Sequence, residues 1–115
     1  MLHSASLTEN GRFRALYARG KSASGKHMVV YCMKSRYREL NRIGITVSAK
    51  LGGAVVRNRV RRRLREAYRL CEETTASGFD VVIVARHAAV EASFDALQNE
   101  LAAHFRRLGI IKHEN

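Results

Sequence analysis

Apolar side chains recur at helical spacing in three stretches of this chain and at strand spacing in three others. Phe13, Leu16 and Tyr17 share one face of a helix predicted over 8–19, with Thr8 or Asn10 as cap and Gly20 as stop. Lys21 to Lys26 reads as a polar loop. Met28 to Met33 is rich in β-branched and aromatic residues and predicts a strand. A charged connection, Lys34 to Asn41, leads to a second strand in which Ile43, Ile45 and Val47 alternate onto one face. After Gly52-Gly53 the period becomes helical: Val56, Val60, Leu64, Ala67, Tyr68 and Cys71 define an amphipathic helix over roughly 55–74. Ser77-Gly78 breaks it, and Val81 to Ala85 is a continuous apolar run of the kind buried on both faces. Ser93 is a helix cap, Phe94, Leu97, Leu101, Phe105 and Leu108 are the buried stripe that follows, and Gly109 ends it.

The order is helix, two or three strands, helix, strand, helix. The strand–helix–strand unit over 43–85 predicts α/β packing, with helices laid on a small sheet. The general rule makes such a crossover right-handed. At 115 residues, without proline, repeat or low-complexity segment, the chain predicts one domain over 1–115.

Charge narrows the partner. The formal net charge is +11 and the pI about 10.7, which favours a polyanion: nucleic acid first, an anionic membrane surface second. No apolar run approaches the roughly 18 residues that span a bilayer. Met1-Leu2-His3-Ser4 lacks a basic segment leading into an apolar core, so no signal peptide is expected. Cys32 and Cys71 stand far apart outside any CxxC context and predict two reduced thiols in a cytoplasmic protein.

The charge concentrates in Arg57-Asn58-Arg59-Val60-Arg61-Arg62-Arg63-Leu64-Arg65. At about 100° per residue, Val56, Val60, Leu64, Ala67 and Cys71 cluster within roughly 80° of arc. Arg57, Arg61, Arg65 and Arg69 line up beside that stripe, Asn58 and Arg62 lie nearly opposite it, and Arg59 and Arg63 flank the other side. Like charges four apart destabilise a helix by a few tenths of a kcal/mol per pair, and Glu66 is the one acid inside the run. A face kept merely soluble would mix signs; this one predicts an external polyanion. The basic residues of the run are all arginine, whose planar fork binds phosphate bidentately and stacks on bases.

Other signals lead nowhere. Gly20-Lys21-Ser22-Ala23-Ser24-Gly25-Lys26 has P-loop spacing, but His27 replaces the magnesium-binding hydroxyl, and a helix precedes where a strand should. His3, His27, His87, His104 and His113 show no zinc spacing. Glu72 and Glu73 are adjacent and diverge on a helix. A DNA-binding basic zipper needs leucine heptads after the basic segment, and Gly78 and a strand follow instead. A membrane-surface helix would carry Trp or Phe on its apolar stripe. Phe13, Tyr17 and Tyr31 are core candidates in the first instance, although rings beside a basic surface also suit single-stranded RNA.

The run from Arg42 to Glu66, with Ile43-Gly44-Ile45-Thr46-Val47, the Gly52-Gly53 turn and Arg57-Asn58-Arg59 in register, closely resembles the bacterial ribonuclease P protein component family, whose hallmark is Arg-Asn-Arg opening an arginine-rich helix. Leu7 to Tyr17, Val29-Val30-Tyr31 and Asp80 to Arg86 resemble its first helix, first strand and later strand. Where the family often has paired lysines and a Gly-Asn, this chain has Ala49-Lys50 and Gly53, and Tyr17 stands where phenylalanine is common.

The resemblance implies an α+β two-layer sandwich like ribosomal protein S5 domain 2, with a left-handed βαβ crossover against the general rule. It implies the small subunit of a ribonucleoprotein that removes 5′ leaders from precursor tRNA, with catalysis and Mg2+ belonging to the RNA and no catalytic residue on this chain. Arg57, Asn58, Arg59, Arg61, Arg62 and Arg65 match the surface that binds the catalytic RNA. Phe13, Tyr17, Val29, Tyr31, Thr46 and Lys50 match the cleft that holds the single-stranded leader. The competing expectation is a ribosomal or RNA-assembly protein of the same fold.

Overall fold

The computed structural model describes residues 4–8 and 10–112. Five strands form one sheet: β1 (Ser4–Ser6), β2 (Lys21–Ser24), β3 (Met28–Lys34), β4 (Asn41–Thr46) and β5 (Phe79–Ala85), in the order β1-β4-β5-β3-β2. Three helices accompany it: α1 (Asn10–Arg19), α2 (Ala54–Cys71) and α3 (Phe94–Leu108). β4 and β5 are parallel neighbours joined through α2, and β1 lies parallel to β4. β5 pairs antiparallel with β3, and β3 with β2.

The strand pleat decides the layers. Met28, Val30 and Cys32 of β3, Ile43 of β4, and Val81, Ile83 and Ala85 of β5 face α2 and α3. There they bury against Val60, Leu64, Ala67, Tyr68, Leu97, Leu101 and Phe105. Tyr68 meets Phe105 edge-on at 6.1 Å, tying the two helices together. The opposite face carries Val82, covered by Leu16 of α1 and by Leu7, with Phe13, Tyr31, Met33 and Val84 packed around them. β5 is therefore buried on both sides, as its unbroken apolar run predicted.

Two expectations change. Lys21 to Ser24, predicted as loop, is strand β2: only Ala23 of its four residues is buried, so its sequence shows no apolar run, and pairing with β3 creates it. The long helix stops at Cys71 and tightens into a 3-10 turn over Glu72–Thr74. The last helix matches its prediction: the Ser93 hydroxyl accepts from Ala96 N at 3.1 Å, and Gly109 closes the helix at φ 74°.

Buried charge is answered locally. Asp80, fully buried, accepts from Arg42 Nε at 2.8 Å and Nη2 at 2.9 Å, and from Arg12 Nε. Glu100 on α3 accepts from the amides of His27 and Met28 at the head of β3, from His27 Nδ1, and pairs with His104 Nε2, four residues on. That carboxylate fastens α3 to the head of β3.

Candidate nucleic-acid interface

The arginine helix begins as a cation would not normally choose. Its N-cap, Gly53, supplies no side-chain cap, and its first turn holds no acid, so the positive end of the helix dipole is left without a counter-charge of its own. Arg57, Asn58 and Arg59 come in the next residues. α3 shows the ordinary arrangement, Asp95 in its first turn and Arg106 and Arg107 in its last. Gly52 sets the angle of entry at φ 148°, where a Cβ would also lie 3.0 Å from Val56. Ser48 accepts from Lys50 N at 3.2 Å and orders the short turn that carries Lys50.

Along α2 the apolar stripe is where the angular projection placed it: Val60, Leu64, Ala67 and Tyr68 are buried. Asn58, Arg59, Arg62 and Arg65 are exposed, whereas Arg57, Arg61 and Arg63 are half-buried. Arg59 Nη2 donates to Val90 O at 3.3 Å, and Arg61 Nη1 to Asn58 Oδ1 at 3.1 Å. Asn58 thus orients a neighbouring guanidinium, a role its position in the motif did not reveal. Glu66 is taken by Arg69 through two hydrogen bonds, so the one acid in the run relieves the last arginine and leaves those before it uncompensated.

The other candidate residues gather on the opposite face. Val29, Val84 and Thr46 stand side by side across β3, β5 and β4. Tyr31 and Gly44 flank Val82 in the next row. α1 lies over this second row: Phe13 rests on Gly44, and Tyr17 Oη reaches Thr46 Oγ1 at 3.4 Å. Tyr17 meets Tyr31 edge-on at 5.0 Å and Phe13 at 6.5 Å, and is 43% exposed. A row of aliphatic side chains bordered by three rings, one of them well exposed, is a surface on which bases can stack. Lys50 follows the end of β4, past Thr46.

Two contributors were not singled out from sequence. Gly44 makes room for the Phe13 ring. Arg86, just beyond β5, shares by alternation the face of Val82 and Val84, and its guanidinium donates to Gly25 O at 3.2 Å and Ser24 Oγ at 3.3 Å, across the end of β2. The strand period over 80–86 was the available signal for Arg86; nothing local marked Gly44.

The two surfaces meet. β1 covers β4 only as far as Ile43, and beyond it a pocket of about 180 Å³ opens at the β4 edge. Phe13 of α1 and Arg65 of α2 both line it, with Ile43, Gly44 and Ile45 between them.

A family model described as Ribonuclease P matches residues 1–109 of this chain. The chain is similar to the ribonuclease P protein component of Alkaliphilus oremlandii, 36% identical over 105 residues that cover 91% of each chain. It is similar to that of a Thermoanaerobacter species, 44% identical over 95 residues, covering 83% of this chain and 81% of the relative. The structure resembles the Staphylococcus aureus RNase P protein with TM-score 0.83 and 28% identity, covering 93% of this chain and 97% of that one. It resembles the Thermotoga maritima protein with TM-score 0.80 and 27% identity, covering 89% and 96%.

Proposed function

Because this chain belongs to the ribonuclease P protein family, and so is the protein subunit of an endoribonuclease ribonucleoprotein that matures the 5′ ends of tRNA, we propose that it works through two surfaces: α2 holds the catalytic RNA and the α1 cleft holds the precursor's 5′ leader. The observation that carries this division is the pocket at the β4 edge, where Phe13 and Arg65 face a common space from opposite layers of the sheet.

Arg57, Asn58, Arg59, Arg61, Arg62 and Arg65 would set guanidinium forks against phosphates where RNA helices crowd together. Each phosphate neutralised releases counterions, so binding gains from dilution of salt, and less divalent cation is needed to fold and load the RNA. Phe13, Tyr17, Val29, Tyr31, Thr46 and Lys50 would take the leader, rings against bases and Lys50 against the backbone. Base–aromatic stacking contributes about 1–3 kcal/mol per base and tolerates any sequence. Mature tRNA lacks the leader, so the cleft discriminates substrate from product without reading bases.

The Mg2+ of this reaction belongs, in this reading, to the RNA. The part played by this chain is binding and charge neutralisation. With precursor tRNA as substrate, we place the chain in the cytoplasm.

Reconstitution tests the proposal. Added to a bacterial ribonuclease P RNA at low magnesium, the chain should stimulate leader cleavage and raise the affinity for precursor over mature tRNA. RNA binding without stimulation would point to a ribosomal or assembly role instead.

A further inference from the structure

At the far end of the sheet from Lys50, the end of β3 and the start of β4 border a second pocket, of about 330 Å³, lined by Arg12, Lys34, Arg36 and Arg42. Asp80 is buried against it and engages both Arg12 and Arg42. Asp80 answers Arg12 and Arg42, and Lys34 and Arg36 bring two further cations to the same space. Among the described residues Lys34 and Arg36 form no ion pair, and Glu39, nearby in the connecting loop, engages neither.

The cations are held in place. Arg12 Nη2 donates to Lys34 O at 2.9 Å while its Nε holds Asp80. Arg36 and Arg42 each lie 5.1 Å from the centre of the Tyr37 ring, and Arg36 also donates to Tyr37 Oη at 3.0 Å. A buried aspartate needs one arginine fork to satisfy it. Lys34 and Arg36, set beside the Arg12 and Arg42 pair around the same space, repel it and one another unless an anion enters. Fixed guanidinium groups around a solvent-open space match a phosphodiester, which arginine grips in a defined orientation.

We propose that this pocket is a further phosphate site for RNA, separate from the α2 surface and from the aromatic cleft. The inference rests on the ribonuclease P reading for the identity of the polyanion. Arg12, Arg42 and Asp80 all lie on the α1 side of the sheet, and Arg12 directly precedes Phe13, whereas the α2 arginines occupy the other layer. The phosphate comes from a distal part of the leader or from the catalytic RNA; the chemistry of capture is the same.

The test uses the reconstituted ribonucleoprotein with Lys34→Ala and Arg36→Ala, singly and together, leaving Arg12 and Arg42 in place because Asp80 depends on them. Arg106→Ala with Arg107→Ala on α3 serves as a charge control, and circular dichroism checks the fold. Dissociation constants are measured across a salt series for the catalytic RNA alone, and then for the holoenzyme with mature tRNA and with precursors of short and long leader. The double variant should lower the slope of log affinity against log salt by about one to two and weaken binding about 3- to 10-fold in one arm. Loss with the catalytic RNA identifies that RNA as the source; loss confined to long leaders identifies the leader. Slopes unchanged in every arm, or changed no more than in the α3 control, overturn the pocket's role. A wild-type chain that fails to stimulate cleavage sinks the parent reading; a wild type that stimulates, with variant slopes unchanged, sinks the pocket alone.

Discussion

The ring of Phe13 lies so close to the backbone of Gly44 that a Cβ built on Gly44 would come within 2.7 Å of Phe13 Cζ. The aromatic floor of the cleft is therefore seated on a strand position that carries no side chain.

Gly44→Ala should displace that ring without touching the arginine helix. Overpacking of this kind typically costs about 1–3 kcal/mol. The expected result is a lower urea midpoint and a precursor affinity reduced about 3- to 10-fold in the holoenzyme, with affinity for the catalytic RNA unchanged. Equal losses for precursor and mature tRNA would remove Phe13 from leader recognition.

Arg62 and Arg65 are exposed on α2 and have no acid partner among the described residues. Arg62→Ala and Arg65→Ala should each reduce the salt slope for catalytic-RNA binding by about one, if each contacts a phosphate. Arg69→Ala, which only frees Glu66, should change it less. Identical slopes in all three variants would mean that α2 does not face the RNA.

Glu100 and Asp80 predict loss of stability in acid. Burial alone would raise the Glu100 carboxyl, but the hydrogen bonds from His27 and from the amides of His27 and Met28 bring it below the ordinary glutamate range. Asp80 is likewise opposed by burial and lowered by Arg42 and Arg12. A carboxyl whose folded pKa is depressed stabilises the fold above its unfolded value, and that stability is lost as pH falls through the carboxylate range towards the folded value. Thermal midpoints should hold from neutral pH to about 5 and decline below it. Glu100→Gln, which keeps one acceptor oxygen and sets an NH2 donor against the amide or imidazole donors at the other, should cost about 1–3 kcal/mol at pH 7 and flatten that decline. An acid limb of unchanged steepness in the variant would remove Glu100 from the account.

Burial pushes the Cys71 thiol up to about 11 and raises that of Cys32 as well. Thiolate is the reactive form, so both should resist alkylation near neutral pH in the folded chain and react promptly in denaturant. Rapid labelling of Cys71 in the native protein would show that the last turn of α2 opens readily.

Period and punctuation made much of this fold readable. β3, β4 and β5 each bury alternate or all residues, and α2 and α3 carry broad apolar stripes, so hydrophobic contrast located them. β1 and β2 carry no such contrast: Ser4-Ala5-Ser6 and Lys21-Ser22-Ala23-Ser24 become strands because β4 and β3 offer them backbone partners. The arginine surface was legible because unlike neighbours are rare within it, yet helix projection alone overstated the exposure of Arg57 and Arg61, since it treats α2 as isolated. The cleft was legible only through family resemblance: Phe13, Val29, Thr46 and Tyr31 are distant in sequence, and only the β4-β5-β3 register and the placement of α1 bring them together.

The two sides of the sheet are unequally secured. Among the described residues seventeen buried apolar residues form the core shared with α2 and α3, against three in the core shared with α1, one of them Leu16 of α1 itself. Segments with little buried apolar contact open locally at a fraction of the global unfolding free energy. Amide protons of α1 should therefore exchange with deuterium well before those of β5 and α2, and leader-bearing precursor should slow the exchange of α1 selectively. On the proposed reading, a cleft whose helical side breathes against a rigid sheet would admit leaders of unlike sequence and shape, and the thinness of that second core would become a source of substrate tolerance.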